Sequence, residues 1–554
     1  MKEQQMDFRS VVTQNLDHLG LVSAIAKELR IAERIDKRLE KDQVSKYASM
    51  GQRVLALIIN GLGFTDERLY MVSQFFQNKP VERLIGEGVR AEHLNDDALA
   101  RLLDAIYEYG TTKLYGEIAF EIGQEFGLLG NSAHLDTTSL SLQGAYDEDS
   151  QHDEAVQITY GYSKDKRFDL KQVMLSLTST GKSGFPLWME ALDGNGSDKK
   201  SLHASIEKMR QFALQLKLSK EFTWVADSAL YTVDKLLSAK GLKWITRVPE
   251  TIKSAQELST RPDKEIKWQV LDKGYRVHEM VSHYGDLEQR WLLVSSEQAY
   301  KREKKTLDRR IMKEEEALKK ALWHLGNSVY SCEKDALKAV KLLGKKYRYH
   351  DIISQIELVE KFVGRGRPKA GSAKMMVGFH VKATIEKNVK AIGEALNRKG
   401  RFILATNELD ASVLSSENLL SEYKAQSQVE RGFRFIKDPW FMVDSVFLKK
   451  NERIEALMVI MTLCLMVYNV GEYHLRELLK KNGETLPNQL GKEIQKPTLR
   501  WIFKLMQGIS VVRIFANKAE NIYQEVVSNI SELTERVILY FGKHAALIYG
   551  LQTT

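Results

Sequence analysis

Apolar residues recur at helical spacing through residues 1–125. LVSAIAKELRIAERIDKRL and GQRVLALIINGLG place them on one face of a 3.6-residue period. LNDDALARLLDAIYEYG opens on Asn95, Asp96 and Asp97, whose short polar side chains suit a helix N-terminus. Near residue 131 the period changes. SAHLDTTSLSLQG alternates as a strand does, and LKQVMLSLTST and FPLWMEAL follow as strands parted by glycine-containing turns. A helical stretch, KSLHASIEKMRQFALQLKL, leads into the apolar strand EFTWVAD. KWITRVP is the next strand, after a helix around LYTVDKLLSAKG. The alternation predicts a mixed sheet with flanking helices.

Residues 251–400 read as an insertion into that pattern. IKWQVLDKGYRVHEMVSHYG and QRWLLVSSE are predicted antiparallel strands. A long charged helix over AYKREKKTLDRRIMKEEEALKKALWHL and a second around EKDALKAVKLLGKK make a helical hairpin. MMVGFHVKATIE and RFILAT return to strand, and the chain from Asn418 onward reads as helical to near its end. The fold class is thus mixed α+β. Its segments are a helical N-terminal domain (1–125), a first core part (126–250), the insertion (251–400), a second core part (401–480) and a helical C-terminal region (481–554).

Composition narrows the setting. At 554 residues the chain is too long for one core. Lys and Arg number 82 against 73 Asp and Glu, a surplus of +9 that suits a polyanionic partner without specifying one. Cys332 and Cys464 are far apart and fit no zinc spacing, which argues for a reducing compartment. MKEQQMDFRS carries no apolar signal segment. The most apolar run, Ala456 to Tyr468, is too short to span a bilayer and follows Asn451, Glu452 and Arg453, so it reads as a buried helix. The expectation is a cytosolic protein with no membrane partner.

Three acids carry the candidate chemistry. Asp136 lies within the predicted strand HLDTTS, and Asp227 ends the strand FTWVAD; strand ends converge at one edge of a sheet, where sites form. Taken singly, either acid also fits a turn or helix-capping role. His134, on the same strand face as Asp136, is placed to touch a metal site there, and a structural histidine is the favoured reading. The third acid sits in SEYKAQSQVERGFRFIKDP. At about 100° per residue, Tyr423, Gln426, Glu430, Arg434 and Lys437 fall within about 80° of arc, beside an apolar face made by Val429 and Ile436. One helix would then hold a basic stripe with a carboxylate at its centre.

These residues resemble a known family. The spacing Y-x2-R-x3-E-x6-K is the signature of transposases of the insertion-sequence 4 superfamily, met here by Tyr423, Glu430 and Lys437, with Gln426 in place of the arginine. HLDTTS and VADSALYT resemble the two aspartate motifs of those enzymes. GYSKDKRFDLKQ, LDHLGLV, LNDDALARLLDAIYE and NQLGKEIQKPTLRWIF resemble segments of the insertion-sequence 1634 type. The resemblance implies an RNase H-like core interrupted by a β-rich insertion, with Asp136, Asp227 and Glu430 as its catalytic and metal-binding triad. It implies two Mg²⁺ or Mn²⁺ ions, and DNA as partner, both the element's terminal inverted repeats and the target. It also implies a homodimer in the synaptic complex, on the nucleoid of a prokaryotic cytosol. Tyr423, Gln426, Arg434 and Lys437 would contact DNA, Gln426 more weakly than an arginine because it lacks the cation.

Gly364-Arg365-Gly366-Arg367-Pro368-Lys369 resembles the centre of minor-groove-binding AT-hook segments, which makes Arg365 and Arg367 further DNA contacts; a basic loop is the other reading. TSTGKS has Ser176 where a phosphate-binding loop needs its first glycine, which excludes ATP binding there. Two other functions share the triad: an inactive DNA-binding regulatory derivative, and a metal-dependent nuclease that cuts without joining.

Overall fold

A computed structural model describes residues 8–552, apart from 40–46, 65–70, 145, 147–154, 164–166, 182, 197, 217–220, 233–235, 237–240, 285, 364–372, 438–447 and 517–521. The chain divides into two compact units: Met1–Trp244 with Ser421–Thr554, and Ile245–Leu420.

The first unit opens on β1 (Phe8–Asn15), which pairs antiparallel with the segment Ser510–Ala516. The helical pattern predicted for the whole N-terminal region is therefore corrected at its start. An eight-residue segment with few apolar residues has no helix face to bury, and its backbone groups are satisfied by a strand from the far end of the chain. The expected helices follow: α1 (Leu19–Glu28), α2 (Ile31–Leu39), α3 (Met50–Gly61), α4 (Asp96–Tyr109) and α5 (Thr111–Glu125). Asn95 caps α4 by accepting from the Ala98 N–H at 2.9 Å. Arg38 of α2 reaches Glu117 at 2.7 Å and Glu121 at 2.6 Å on α5, tying the two helices along their polar faces.

The sheet of this unit is an antiparallel meander, β2 (Ser132–Leu142), β3 (Lys171–Thr180) and β4 (Phe185–Leu192), followed by α6 (Asp198–Gln215) and β5 (Thr223–Ala226). β5 returns beside β2 and runs parallel to it, giving the order β4-β3-β2-β5. A parallel return needs a crossover, and α6 supplies it. β2 is buried along nearly its whole length; only Asp136 and Ser141 are half-buried. Strands covered on both faces lose the apolar–polar alternation, and β2 keeps Thr137, Thr138 and Ser139 inside.

The second unit holds β6 (Lys243–Arg247, which crosses the boundary), β7 (Gln269–Leu271), β8 (Tyr275–Tyr284), β9 (Leu287–Ser296), α7 (Glu297–Gly326), α8 (Glu333–Gly344), β10 (His350–Phe362), β11 (Lys374–Lys387), α9 (Val389–Asn397) and β12 (Arg401–Thr406). β6, β12, β9, β8 and β7 pair in that order, all antiparallel. β10 and β11 form a separate two-stranded ribbon. β10 was not among the expected strands. Glu314 of α7 anchors its start, accepting from the Tyr349 N–H at 2.6 Å and the Arg348 N–H at 3.1 Å. The segment carrying Arg365 and Arg367 lies outside the described residues.

The chain re-enters the first unit through α10 (Ser416–Ala425) and α11 (Ser427–Ile436), then α12 (Asn451–Asn482) and α13 (Leu499–Leu505). α12 extends well beyond the apolar run Ala456–Tyr468 and is long and apolar enough to cross a bilayer, yet 78% of its most apolar window is buried inside the protein. It packs against α1, α3, α4, α5 and β4, the position of a core helix. The expected all-helical C-terminal region is corrected too: β13 (Ser510–Ala516) and β14 (Ile522–Ser528) form a hairpin whose first strand takes β1. α14 (Glu532–Tyr540) and α15 (Gly542–Ile548) complete the chain.

Candidate active site

The two aspartates are related by strand register. β2 and β5 pair Ser132 with Thr223, Ala133 with Trp224 and His134 with Val225. Carried two residues further at the same offset, the register sets Asp136 level with Asp227, the residue that follows β5. Neighbouring strands lie about 4.8 Å apart. Asp136 is half-buried and Asp227 exposed, so both acids reach solvent at this level, where β5 ends. The Thr137 N–H donates to Asp136 Oδ1 at 2.8 Å, fixing one carboxylate oxygen.

Glu430 is carried by α11, which packs on β2, β3 and α12. Its amphipathic pattern explains the docking: Val429, Phe433 and Ile436 are buried, while Glu430, Arg431 and Arg434 are exposed. Gly432 belongs to the packed side, where an added Cβ would lie 3.2 Å from Leu465 of α12. The apolar face predicted from Val429 and Ile436 is thus the face that meets the protein.

The stripe does not lie on one unbroken helix. α10 ends at Ala425 and α11 begins at Ser427, with Gln426 between them in helical backbone geometry. The Gln426 N–H bonds to Tyr423 O at 3.2 Å and the Val429 N–H to Gln426 O at 3.0 Å, three-residue spans that tighten the turn. Gln426 is buried, the consequence of its position at the edge of the arc nearest Val429. Tyr423, on α10, is half-buried, and Lys437 caps the end of α11.

A second polar group stands on the Asp136 face of β2. Ser132, His134 and Asp136 alternate along the strand and share one side. Ser132 Oγ bonds to Glu422 of α10 and lies 2.9 Å from His134 Nε2. Burial pulls the His134 imidazole down to about 4, so it is neutral near pH 7. This group ties α10 to β2. The Ser-x-His-x-Asp alternation was visible in sequence; Glu422, from a remote helix, was not.

Among the described residues, no three His, Cys, Asp or Glu side chains are gathered tightly enough to hold a metal ion. The acids are related through the backbone: two level on adjacent strands, one on a helix laid against the first of those strands. Their donors are carboxylate oxygens, the kind that Mg²⁺ and Mn²⁺ take.

A family model described as "Transposase DDE domain" matches residues 135–467, more than half of the chain and a span that includes Asp136, Asp227 and Glu430. A model described as a domain of unknown function, DUF4277, matches residues 11–120. The comparison with curated proteins finds no match. Among solved structures, similarity is found to a cryo-EM structure of the piggyBac transposase synaptic complex with hairpin DNA, at 10% identity, covering 90% of this chain and 82% of that one, with a TM-score of 0.34. A score that low leaves the overlay too loose to argue from.

Proposed function

The chain belongs to the DDE-domain transposase family, and from that premise we propose an insertion-sequence transposase that cuts DNA at its element's ends and joins the freed ends to a target. The observation that carries the reading is the register that levels Asp136 with Asp227 inside the family-matched span. The order β4-β3-β2-β5, with β2 and β5 parallel, supports an RNase H-like core. The motifs around Tyr423, Glu430 and Lys437 and the segment GYSKDKRFDLKQ support membership of the insertion-sequence 4 superfamily, 1634 type.

Asp136, Asp227 and Glu430 supply the carboxylate oxygens that would hold a pair of Mg²⁺ or Mn²⁺ ions once drawn closer than they stand here, and such ions would lend Lewis-acid stabilisation to an in-line phosphodiester displacement. The protein's own share is positioning. Asp136 is oriented by the Thr137 N–H, and Glu430 by the docked apolar face of α11. Arg434 and Lys437 offer cations, and Tyr423 a hydroxyl, to phosphates flanking the scissile bond. His134, neutral and buried, steadies β2 through Ser132. The reading includes a homodimeric synaptic complex and a cytosolic location, the latter supported by two free thiols, Cys332 and Cys464.

The test is cleavage and strand transfer on DNA carrying the element's ends, with Mg²⁺ or Mn²⁺, comparing the native protein with Glu430→Gln. Metal-dependent cutting and joining that vanish in the variant while end binding persists is the expected result. Cutting without joining would make the protein a nuclease. End binding with no chemistry in the native protein would make it a regulatory derivative.

A further inference from the structure

Beside Glu430 the first unit contains an open cleft of about 800 Å³. Its walls are α11, α12 and the segment 495–500. Six cations line it: Arg431, Arg434, Arg476, Lys480, Lys496 and Arg500, against two carboxylates, Glu472 and Glu477. Glu472 is already committed. Its Oε1 pairs with Arg476 at 2.6 Å, and its Oε2 accepts from the Leu499 N–H at 3.0 Å. Arg476 Nε donates to Pro497 O at 2.9 Å, and Tyr468 Oη accepts from the Arg500 N–H at 3.1 Å. These bonds clamp the 495–500 segment to α12 and fix the cleft's shape before any ligand arrives. Arg434, Lys480 and Lys496 are exposed and have no ion-pair partner among the described residues.

The cleft is long as well as basic. Tyr468, Glu472, Arg476 and Lys480 recur every fourth residue, so one wall follows α12 for about 18 Å at 1.5 Å per residue. A DNA strand advances about 3.4 Å per nucleotide, so that wall spans about five phosphates. A free phosphate or a nucleotide would occupy one end of such a row. Two of the three aromatic rings at the cleft are engaged with each other, Phe435 on Tyr468 at 4.5 Å between centroids, so the six cations outnumber the remaining ring, Tyr473, as ligand contacts.

We infer that this cleft binds the sugar–phosphate backbone of DNA over several nucleotides next to the cleavage position, independently of base sequence. The inference rests on the transposase reading for the identity of the polyanion. It assigns backbone contacts to Arg431, Arg476, Lys480, Lys496 and Arg500, which lie outside the family's signature spacing. Arg434, one helical turn after Glu430, joins the two sites, so a strand leaving Glu430 along α11 enters the cleft.

The experiment measures binding of a random-sequence DNA duplex by fluorescence anisotropy across a salt series, without metal. The protein is the full chain carrying Arg434→Gln, Lys480→Gln and Lys496→Gln. A control triple, Lys301→Gln, Lys305→Gln and Lys319→Gln on α7, removes the same charge elsewhere. The expected result is at least a tenfold weaker Kd for the cleft variant at low salt, with the slope of log K against log salt shallower by about 0.9 for each lost phosphate contact. Equal Kd and slope for the two triples would overturn the inference. Matching melting curves exclude misfolding; if the triple does not fold, Lys480→Glu alone must show the same shift in slope. Glu430→Gln separates the two readings. Loss of native-like cutting in that variant with unchanged cleft slopes sinks the cleft alone. A native protein that never cuts, but whose cleft variant binds weakly, sinks the transposase chemistry and keeps the cleft.

Discussion

Two helices of nearly equal length are put to opposite uses: α7 has 30 residues and α12 has 32. Three residues of α7 are buried, Leu307, Ile311 and Leu318, and charged side chains make up much of the rest of its surface. Leu307 and Ile311 pack with Tyr349 and Ala395 in a small cluster of the second unit. α12 buries 18 residues and is the post around which the first unit is built. Length therefore says little about a helix's role; the width of its apolar surface says more. A narrow stripe attaches a helix on one side, whereas apolar residues all round require neighbours all round. α12 does both in turn. Its first half is buried on all sides, and its second half, from Tyr468, turns one face outward to line the basic cleft.

The largest effect expected to separate the two regions is on activity. Glu430→Gln, on the helix docked against α12, should reduce end cleavage to background, while Met312→Ala on α7 should leave it at the native rate. A comparable loss from Met312→Ala would break the comparison. The next effect is on stability. Leu463→Ala removes a side chain with 0% exposure from α12 and should cost about 2–5 kcal/mol. Met312, 62% exposed, should change stability by no more than about 0.5 kcal/mol when truncated. Denaturant midpoints of the two variants measure the difference, and equal shifts would mean that α7 is buried by a partner in solution. The smallest effect concerns pH. Arg453 of α12 bonds bidentately to Asp104 of α4, at 2.7 Å through both oxygens, and this holds the Asp104 carboxyl below its usual range. A depressed carboxyl stabilises the fold above its unfolded value of about 3.9, and the gain is lost as pH falls through the lower, folded value. Asp104→Asn should therefore lower the melting temperature at neutral pH and narrow the gap to the native protein as the solution is acidified below about pH 4.

What could be read from sequence follows from how far apart the cooperating residues lie. The docking face of α11 was legible because Val429 and Ile436 share a face of one helix, and so was the strand position of Asp136. The level pairing of Asp136 with Asp227 needed the register between strands 91 positions apart, which no local pattern encodes. β1 and β13 were read wrongly for the same reason: each is short, and each is a strand only because the other is present. Gln426 was placed on the stripe by angle alone, yet the tightened turn and the nearby apolar face take it inside. The cleft was invisible because its cations come from α11, α12 and a later segment, and none of the three is unusually basic by itself.

The pairing of β1 with β13 also has a bearing on time. At about 5–20 residues per second, a ribosome reaches Ser510 roughly 25–100 s after Asn15 has been joined to the chain. Through that interval β1 lacks its hydrogen-bonding partner, and for most of it the first unit also lacks α11 and α12, with Glu430 and most of the cleft. A chain broken off after Asp227 but before those helices holds two of the three acids on a sheet whose core post is missing. On the proposed transposase reading such a fragment lacks its third acid, so the order of synthesis itself would keep the reaction off until α11 and α12 have been made.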